Sequence, residues 1–580
     1  MSRHGEVLKP VGAVLCAVTA GMMGWSGWAM SDGTAPPDTL RSDIVADFKP
    51  PADETDYLLR QVMIPMRDGV RLRALIAMRK GVTRGPLLLE RTPYGADSVA
   101  FHSGGEHLAA RVSLMNRPFV EDGYILVWED IRGRSQSEGT FVLNRPLAGP
   151  LNPTGIDEAT DAFDSIDWLV KNVPESDQRV GIIGGSYDGA LALSAALNAH
   201  PNLKAFVAIN PMVDVWKGDD WFHNGAFRQI TLGVLPIMLT GKERGTPRPS
   251  GSADLYSTYL ESGSAGDAMR RYGLDQFSPA QKFMEHPSDD AYWREQALDS
   301  VLPSRHIASV PTLLVAGMWD EQDQYGAPAM FEALRAQNSN RPVTLLLGPW
   351  NHMGVAGDGS RLGALKFIED TATAARRDVI KPFLDGRLKQ DAVAENLAPI
   401  VSFTTGSEQW HSSSSLPAPS RAIYLRERGG LSFEAPAGEG PGWDEYVSDP
   451  AHPVGVLAGP FNFARTWATS LVVDQRFAAE RPDVLTYRSP PLEGPVHILG
   501  SPEADLFAST SGTDSDCMHC RWSITPSCPD TGSWHRSSPP GFQHTTAIRR
   551  PACKTFSMLE HRTTSLRNSA YFVNPRTPAK

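Results

Sequence analysis

Three residues of the types needed for acyl transfer stand in order along the chain: Ser186, Asp320 and His352. Ser186 lies in Gly184-Gly185-Ser186-Tyr187-Asp188-Gly189, behind the apolar run Arg179-Val180-Gly181-Ile182-Ile183 and ahead of Ala190 to Leu197, which is rich in helix formers. A strand, a glycine-framed serine and a helix make a nucleophile elbow. The turn is tight enough to strain the serine backbone, and only glycine lets strand and helix approach so closely. The helix N-terminus then points free N–H groups at any anion forming on the carbonyl that Oγ attacks. Asp320 follows the strand-like run Val310 to Gly317, and His352 follows Pro342 to Gly348. The order serine, acid, histidine, each after a strand, assigns His352 as general base toward Ser186 and Asp320 as the carboxylate that fixes its tautomer. Glu321 and Asp323 are the alternative acids. For the oxyanion the backbone N–H of Tyr187 is one donor, and the hydroxyl of Tyr94, in Arg91-Thr92-Pro93-Tyr94-Gly95, is the candidate second.

Residues 57–78 alternate apolar and polar around Asp68-Gly69, which predicts a β-hairpin. Pro86 to Glu90 and Tyr124 to Trp128 are further strands, the second running into the polar turn Asp130-Ile131-Arg132-Gly133-Arg134-Ser135. A helix is expected from the apolar spacing Ala159, Ala162, Ile166, Leu169, Val170. Strands alternating with helices imply a doubly wound, mostly parallel sheet. From about 210 to 305 that rhythm is replaced by amphipathic stretches, the pattern of a helical cap. It resumes after 306 and is expected to end in a helix from Ala364 to Leu384. Beyond 397 short strand-like runs, among them Ile400 to Thr405, are separated by Gly, Pro and Ser, as in a sandwich or jelly roll. The resulting division is 1–30 signal peptide, 31–51 leader, 52–209 and 306–396 the two parts of the α/β domain, 210–305 cap, 397–516 jelly roll and 517–580 an atypical tail.

The 580 residues are too many for one ordinary core, and 41% apolar with 21% charged residues is a globular balance. A net charge of −11 gives no reason to expect nucleic-acid binding. Arg3, His4 and Lys9 precede the apolar run Val11 to Met30, with small residues Gly27 and Ala29 near its end, the composition of a secretory signal. An exported protein, periplasmic or secreted and free of the membrane after cleavage, is therefore expected. Cys517, Cys520, Cys528 and Cys553 crowd the tail, where disulfides are compatible with export. No metal or organic cofactor is implied.

Arg91 to Gly95, Asp130 to Ser135, the elbow, Trp319-Asp320 and Gly348-Pro349-Trp350-Asn351-His352 together resemble the cocaine esterase and X-prolyl dipeptidyl peptidase group of serine hydrolases, and within it the α-amino acid ester hydrolases, or β-lactam antibiotic acylases. The resemblance runs from about 55 to 516. It implies an α/β-hydrolase domain with helical cap and C-terminal jelly roll, the triad Ser186, Asp320, His352, the oxyanion donors Tyr94 and Tyr187, and a homo-oligomer, a tetramer in enzymes of this kind. It also implies carboxylates that bind the α-ammonium group of a small ester or amide substrate. The candidates are Asp188, Asp289 and Asp290, with Asp219 and Asp220 as competitors. Rival readings are an aryl ester hydrolase, a glutaryl acylase, an X-prolyl peptidase and, from another class, a carbohydrate-binding protein with a vestigial hydrolase domain. From Cys517 onward aliphatic alternation fades, so the tail is expected to lie outside the fold and to leave the jelly roll without its closing strands.

Overall fold

The computed structural model describes residues 55–526, apart from 103, 219, 246–253, 302–308, 391, 393–395, 417–420, 438–442, 463–465, 467–469, 495, 497, 499–506 and 512–518, together with 554–560 and 568–573. The signal peptide, Asp219, Cys517, Cys528 and Cys553 lie outside the described residues.

Ten strands make the central sheet: β1 (Tyr57–Pro65), β2 (Arg71–Arg79), β3 (Gly85–Thr92), β4 (Ile125–Asp130), β5 (Ser176–Gly185), β6 (Leu203–Ile209), β7 (Thr312–Gly317), β8 (Val343–Gly348), β9 (Ile400–Thr404) and β10 (Gln409–Ser413). Their spatial order is β1-β2-β4-β3-β5-β6-β7-β8-β9-β10. Everything from β4 to β9 is parallel, and the two edges are antiparallel additions. The hairpin β1–β2 pairs Tyr57 with Arg79 through Pro65 with Arg71, as the alternation around Asp68-Gly69 predicts.

Strand side chains alternate faces, so one run feeds two cores. Leu87, Leu89, Val127, Ile182, Phe206, Leu314 and Leu345 pack on one face. Their neighbours Leu88, Leu126, Ile183, Val207, Leu313 and Leu346 pack on the other. Each such side chain, fully buried, stabilises the fold by about 1.5–3 kcal/mol. Helix α1 (Glu158–Asn172) starts at a reciprocal cap in which Asp157 accepts the Thr160 N–H and Thr160 Oγ1 accepts the Asp157 N–H. Helix α2 (Tyr187–Ala195) follows Ser186 directly.

The insertion carries helices α3 (Thr231–Leu239), α4 (Leu255–Ser262), α5 (Ala265–Arg271) and α6 (Ser278–Glu285), with a two-residue hairpin, Phe222–His223 against Ala226–Phe227. Trp221, Phe222, Leu235 and Trp293 from this stretch pack on Ile131, Tyr187 and Leu191, so the cap sits directly over the elbow helix.

Two expectations are corrected. Ile400–Thr404 and Gln409–Ser413 belong to the hydrolase sheet, with β9 in parallel register to β8 (Leu345 opposite Ile400). The α/β domain therefore runs past 396, because a fully buried apolar strand has the same composition in either kind of sheet. The expected helix at 364–384 begins at Thr371, where Asp370 accepts the N–H groups of Ala372 and Thr373, and Leu365–Lys366 instead pairs with Arg361–Leu362. Of the tail after 517, three strands are described, and they pair with the C-terminal sheets. His519–Pro526 and Lys554–Glu560 extend a five-stranded sheet next to Thr486–Leu492, and Asn568–Val573 lies between Glu445–Ser448 and Phe507–Thr510. Local alternation such as Thr555-Phe556-Ser557-Met558 suffices for pairing even where the surrounding composition is poor in aliphatics.

Candidate active site

Ser186 sits between β5 and α2 with φ 59° and ψ −124°, a left-handed conformation that costs a non-glycine residue of the order of 1–3 kcal/mol. Its surroundings enforce it. A Cβ at Gly184 would collide with the carbonyl of Asp188, so the first turn of α2 lies directly on the end of β5. The Ser186 N–H donates to the Ile209 carbonyl (2.9 Å), binding the elbow to β6. The N–H of Tyr187 opens α2, where the first N–H groups have no carbonyl one turn back.

Asp320 and His352 follow β7 and β8, adjacent parallel strands whose ends lie level (Gly317 opposite Gly348). His352 Nδ1 is 2.8 Å from Asp320 Oδ2, and both side chains are buried. The other Asp320 oxygen accepts the N–H groups of Gln322 (2.8 Å) and Asp323 (3.2 Å), which aims the carboxylate at the imidazole. With Nδ1 carrying the proton toward Asp320, Nε2 is left as the acceptor. Burial opposes charging of His352, but the charge and hydrogen bond of Asp320, with the more distant charges of Asp220 and Glu321, outweigh it and raise its pKa above the ordinary 6.5. Asp323, the alternative acid, lies close to both partners: its Oδ2 is 3.5 Å from Ser186 Oγ and 3.7 Å from His352 Nδ1.

Tyr94 follows β3, and its hydroxyl lies beside Ser186. Its loop is held from below and from the side. The Tyr94 N–H donates to Thr92 Oγ1 (3.1 Å). Arg134, which is buried, donates to the carbonyls of Pro93 (2.7 Å), Met238 (2.8 Å) and Gly241 (2.8 Å), tying the loop to the end of α3 in the cap. The turn Asp130 to Ser135 is thus a clamp. Gly133, at φ +74°, leaves no room for a side chain beside Phe141, and Arg132 pairs with Asp161 (2.7 Å) and Asp68 (2.7 Å). Burial and the nearby carboxylates Asp188, Asp220 and Asp323 push the Tyr94 phenol well above its usual range, so it stays protonated and able to donate.

Asp188, Asp220 and Asp323 are therefore the carboxylates gathered round Tyr94, from the elbow helix, the cap and the loop after β7. Asp220 accepts Gln322 Nε2 (2.6 Å) and lies 3.8 Å from Arg228, which also pairs with Glu321. Asp289 and Asp290 have other partners, a correction to their expected place. Both are about 42% exposed. Asp290 caps the short helix Ala291–Arg294 by accepting the Tyr292 N–H and pairs with His286 (2.7 Å), while Asp289 pairs with Arg294 (3.1 Å). A four-residue helix needs its cap, and the cap consumes the charge locally. Asp188 is buried beside Thr92 and Glu90, away from solvent.

Asn210 was not singled out by sequence reasoning. At the end of β6, with φ 41°, it accepts the Gly317 N–H (2.8 Å) and donates to the carbonyl of His352, so one side chain fixes the start of the Asp320 loop and the His352 loop together. A single Asn after a strand carries no signal by itself. Among the described residues no group of His, Cys, Asp and Glu is arranged to hold a metal ion.

A doubly wound sheet with a strained serine at the end of its central strand, and a buried acid–histidine pair two strands away, defines a serine hydrolase of the α/β-hydrolase class. The chain belongs to the X-Pro dipeptidyl-peptidase (S15) family: residues 68–354 match that family and 393–518 match the X-Pro dipeptidyl-peptidase C-terminal non-catalytic domain. It is 36% identical to an α-amino acid ester hydrolase of known structure (TM-score 0.82, covering 93% of this chain and 98% of the other). It is 35% identical to an aminopeptidase from a marine sediment Thaumarchaeota archaeon (TM-score 0.82, 92% and 97%). A cocaine esterase from Rhodococcus sp. is 28% identical over 484 residues, 78% of each chain.

Proposed function

We propose that this enzyme hydrolyses small esters and amides of α-amino acids that carry a free α-ammonium group, by way of an acyl-enzyme on Ser186, and transfers the same acyl group to amines such as β-lactam nuclei. Asp323 carries this reading. In an α-amino acyl group the nitrogen is about 2.5 Å from the carbonyl carbon. A carboxylate oxygen 3.5 Å from Ser186 Oγ is thus within hydrogen-bond reach of the ammonium while Oγ attacks. Asp220 supplies a second buried charge on the cap side. An ammonium withdrawn from water needs such charges at short range, and two offset its desolvation better than one. The similarity to an α-amino acid ester hydrolase and to an aminopeptidase supports the same chemistry, since both substrate classes present an amino acyl carbonyl.

His352 Nε2 takes the proton from Ser186 Oγ as Oγ attacks, and Asp320 stabilises the imidazolium. The oxyanion forms between the Tyr187 N–H and the Tyr94 O–H. His352 returns the proton to the departing alcohol or amine, leaving an ester on Ser186 that water, or an acceptor amine, attacks by the same steps in reverse. The ammonium also offsets the negative field of Asp220 and Asp323 at Tyr94, so the amino group assists formation of the oxyanion as well as binding.

The test is kcat/KM of Asp323→Asn and Asp220→Asn on phenylglycine methyl ester and on phenylacetic acid methyl ester, which lacks the amino group. A charge-assisted hydrogen bond contributes about 1.5–3 kcal/mol, so each variant is expected to lose roughly ten- to hundredfold on the amino ester and little on the other. Equal losses on both esters would remove the ammonium assignment and leave an ester hydrolase without it.

A further inference from the structure

The chain leaving α3 brings a cation to the oxyanion donor. Residues 241–245 are tied to the turn that clamps the Tyr94 loop. Arg134 donates to the Gly241 carbonyl (2.8 Å), the Ser135 N–H to the Lys242 carbonyl (2.9 Å), Lys242 Nζ to the Ser137 carbonyl (3.1 Å) and the Ser135 hydroxyl to Glu243 (3.2 Å). The Gly245 N–H turns back to the Ile237 carbonyl (2.9 Å) and closes the segment on α3. Arg244, inside this anchored segment, stands with its guanidinium carbon 6.0 Å from the centre of the Tyr94 ring. Arg244 is exposed, and it forms no ion pair among the described residues. Its neighbour Glu243 is turned to Ser135, and the next acid along the chain, Asp254, caps α4 by accepting the N–H groups of Tyr256 and Ser257. The stretch 246–253 contains no Asp or Glu.

We propose that Arg244 is a specificity-determining residue that pairs with a carboxylate on the leaving group, so that the preferred substrates carry an anion on the departing alcohol or amine, as peptide-like amides do. The reaction geometry sets the position. The oxyanion lies within about 3 Å of the Tyr94 hydroxyl. In an amide of a 2-amino acid, or an ester of a 2-hydroxy acid, the leaving-group carboxylate is three bonds, at most about 4 Å, from the scissile carbon. It therefore lies beside the Tyr94 phenol, within reach of a long side chain already held over that ring. A guanidinium presents paired donors in one plane, the arrangement that a carboxylate accepts, and its contact with the ring face orients it before substrate arrives. The sign of the charge decides the partner. Asp188, Asp220 and Asp323 surround the Tyr94 hydroxyl and, with a net charge of −11 on the chain, repel an anionic leaving group unless a cation stands close to it. Arg244 is that cation. Anions for an ammonium and a cation for a carboxylate then meet at one phenol, the charge pattern of a zwitterionic substrate.

This inference rests on acyl transfer at Ser186 and the oxyanion at Tyr94 but not on ammonium binding, so it is tested on esters without an amino group. The probes are the phenylacetyl esters of glycolate, whose leaving alcohol carries a carboxylate, and of glycolamide, which has a neutral amide in its place. Their kcat/KM values are measured at low and high salt for the wild type, Arg244→Gln and Arg244→Lys; the position is exposed, so both variants are expected to fold. The ratio of glycolate to glycolamide ester is expected to fall about three- to tenfold in Arg244→Gln, and less in Arg244→Lys, which keeps the charge but not the planar fork. High salt is expected to shrink the difference between wild type and Arg244→Gln. A ratio unchanged in Arg244→Gln overturns the proposal, as does a fall that salt leaves untouched. An equal loss on both esters overturns it too, because it would show Arg244 acting through Tyr94 and not on the leaving group.

Discussion

Removing the charge of Asp320 tests the acid–histidine pair most sharply. In Asp320→Asn the shape and the two backbone N–H contacts on Oδ1 are retained, so folding is little affected and the loss falls on His352. The imidazolium formed during attack loses a carboxylate hydrogen-bonded at 2.8 Å. With charge centres about 4 Å apart and an effective dielectric near 20, that attraction is ~4 kcal/mol. At ~1.4 kcal/mol per factor of ten, the rate falls about a thousandfold. The asparagine amide also donates to Nδ1 and so moves the histidine proton to Nε2, where Ser186 needs an acceptor, which takes the loss toward ten-thousandfold. Asp323, 3.7 Å from Nδ1, sets the limit to that figure by offering a substitute charge, so Asp320→Asn/Asp323→Asn is expected to lose more than Asp320→Asn alone. The assay is kcat/KM on phenylacetic acid methyl ester from pH 6 to 9. A loss below tenfold in Asp320→Asn, in folded protein, refutes the assignment of Asp320, and a larger loss in Asp323→Asn than in Asp320→Asn transfers the role to Asp323.

Other consequences follow from the same geometry. His352 must be neutral to act as base, so kcat/KM is expected to rise with pH through an inflection above 6.5, and Asp220→Asn or Glu321→Gln should move that inflection down by removing a stabilising negative charge; an unmoved inflection contradicts the electrostatic account. Tyr94→Phe removes one oxyanion donor and is expected to cost about a hundred- to thousandfold in kcat, with KM changed much less; a change confined to KM would make Tyr94 a binding residue instead. Arg91, wholly buried and paired with Glu129 and Glu158 (3.1 Å), leaves two buried carboxyl groups uncompensated when replaced. Arg91→Met should destabilise the fold by about 3–5 kcal/mol in urea unfolding, and a loss under 1 kcal/mol would show that the cluster protonates at little cost.

The site was legible where local sequence dictates geometry. Gly184 and Gly189 frame a serine that only a tight strand–helix turn accommodates, and Asp320 and His352 each stand directly after a β-strand. The ammonium site was legible only in kind. Asp289 and Asp290 look like a charged pair in a cap loop, and nothing in their sequence shows that one caps a short helix and the other meets Arg294. Asp220 reaches Gln322 from the cap, a contact 102 residues apart that depends on how the insertion folds back. Asp323 was visible as an acid near Asp320 but not as a neighbour of Ser186. Asn210 gave no signal, since a polar residue at a strand end acquires meaning only from the strands beside it. The boundary near 397 misled for a physical reason: Ile400 to Phe403 is buried on both faces, as a central strand of either domain would be.

The most direct measurement is kcat/KM of the wild-type protein on phenylglycine methyl ester and phenylacetic acid methyl ester, with Ser186→Ala as control. The account predicts at least a tenfold preference for the amino ester, the ratio expected from one charge-assisted hydrogen bond, and loss of turnover on both esters in Ser186→Ala. Equal rates on the two esters, or turnover that survives in Ser186→Ala, would contradict it.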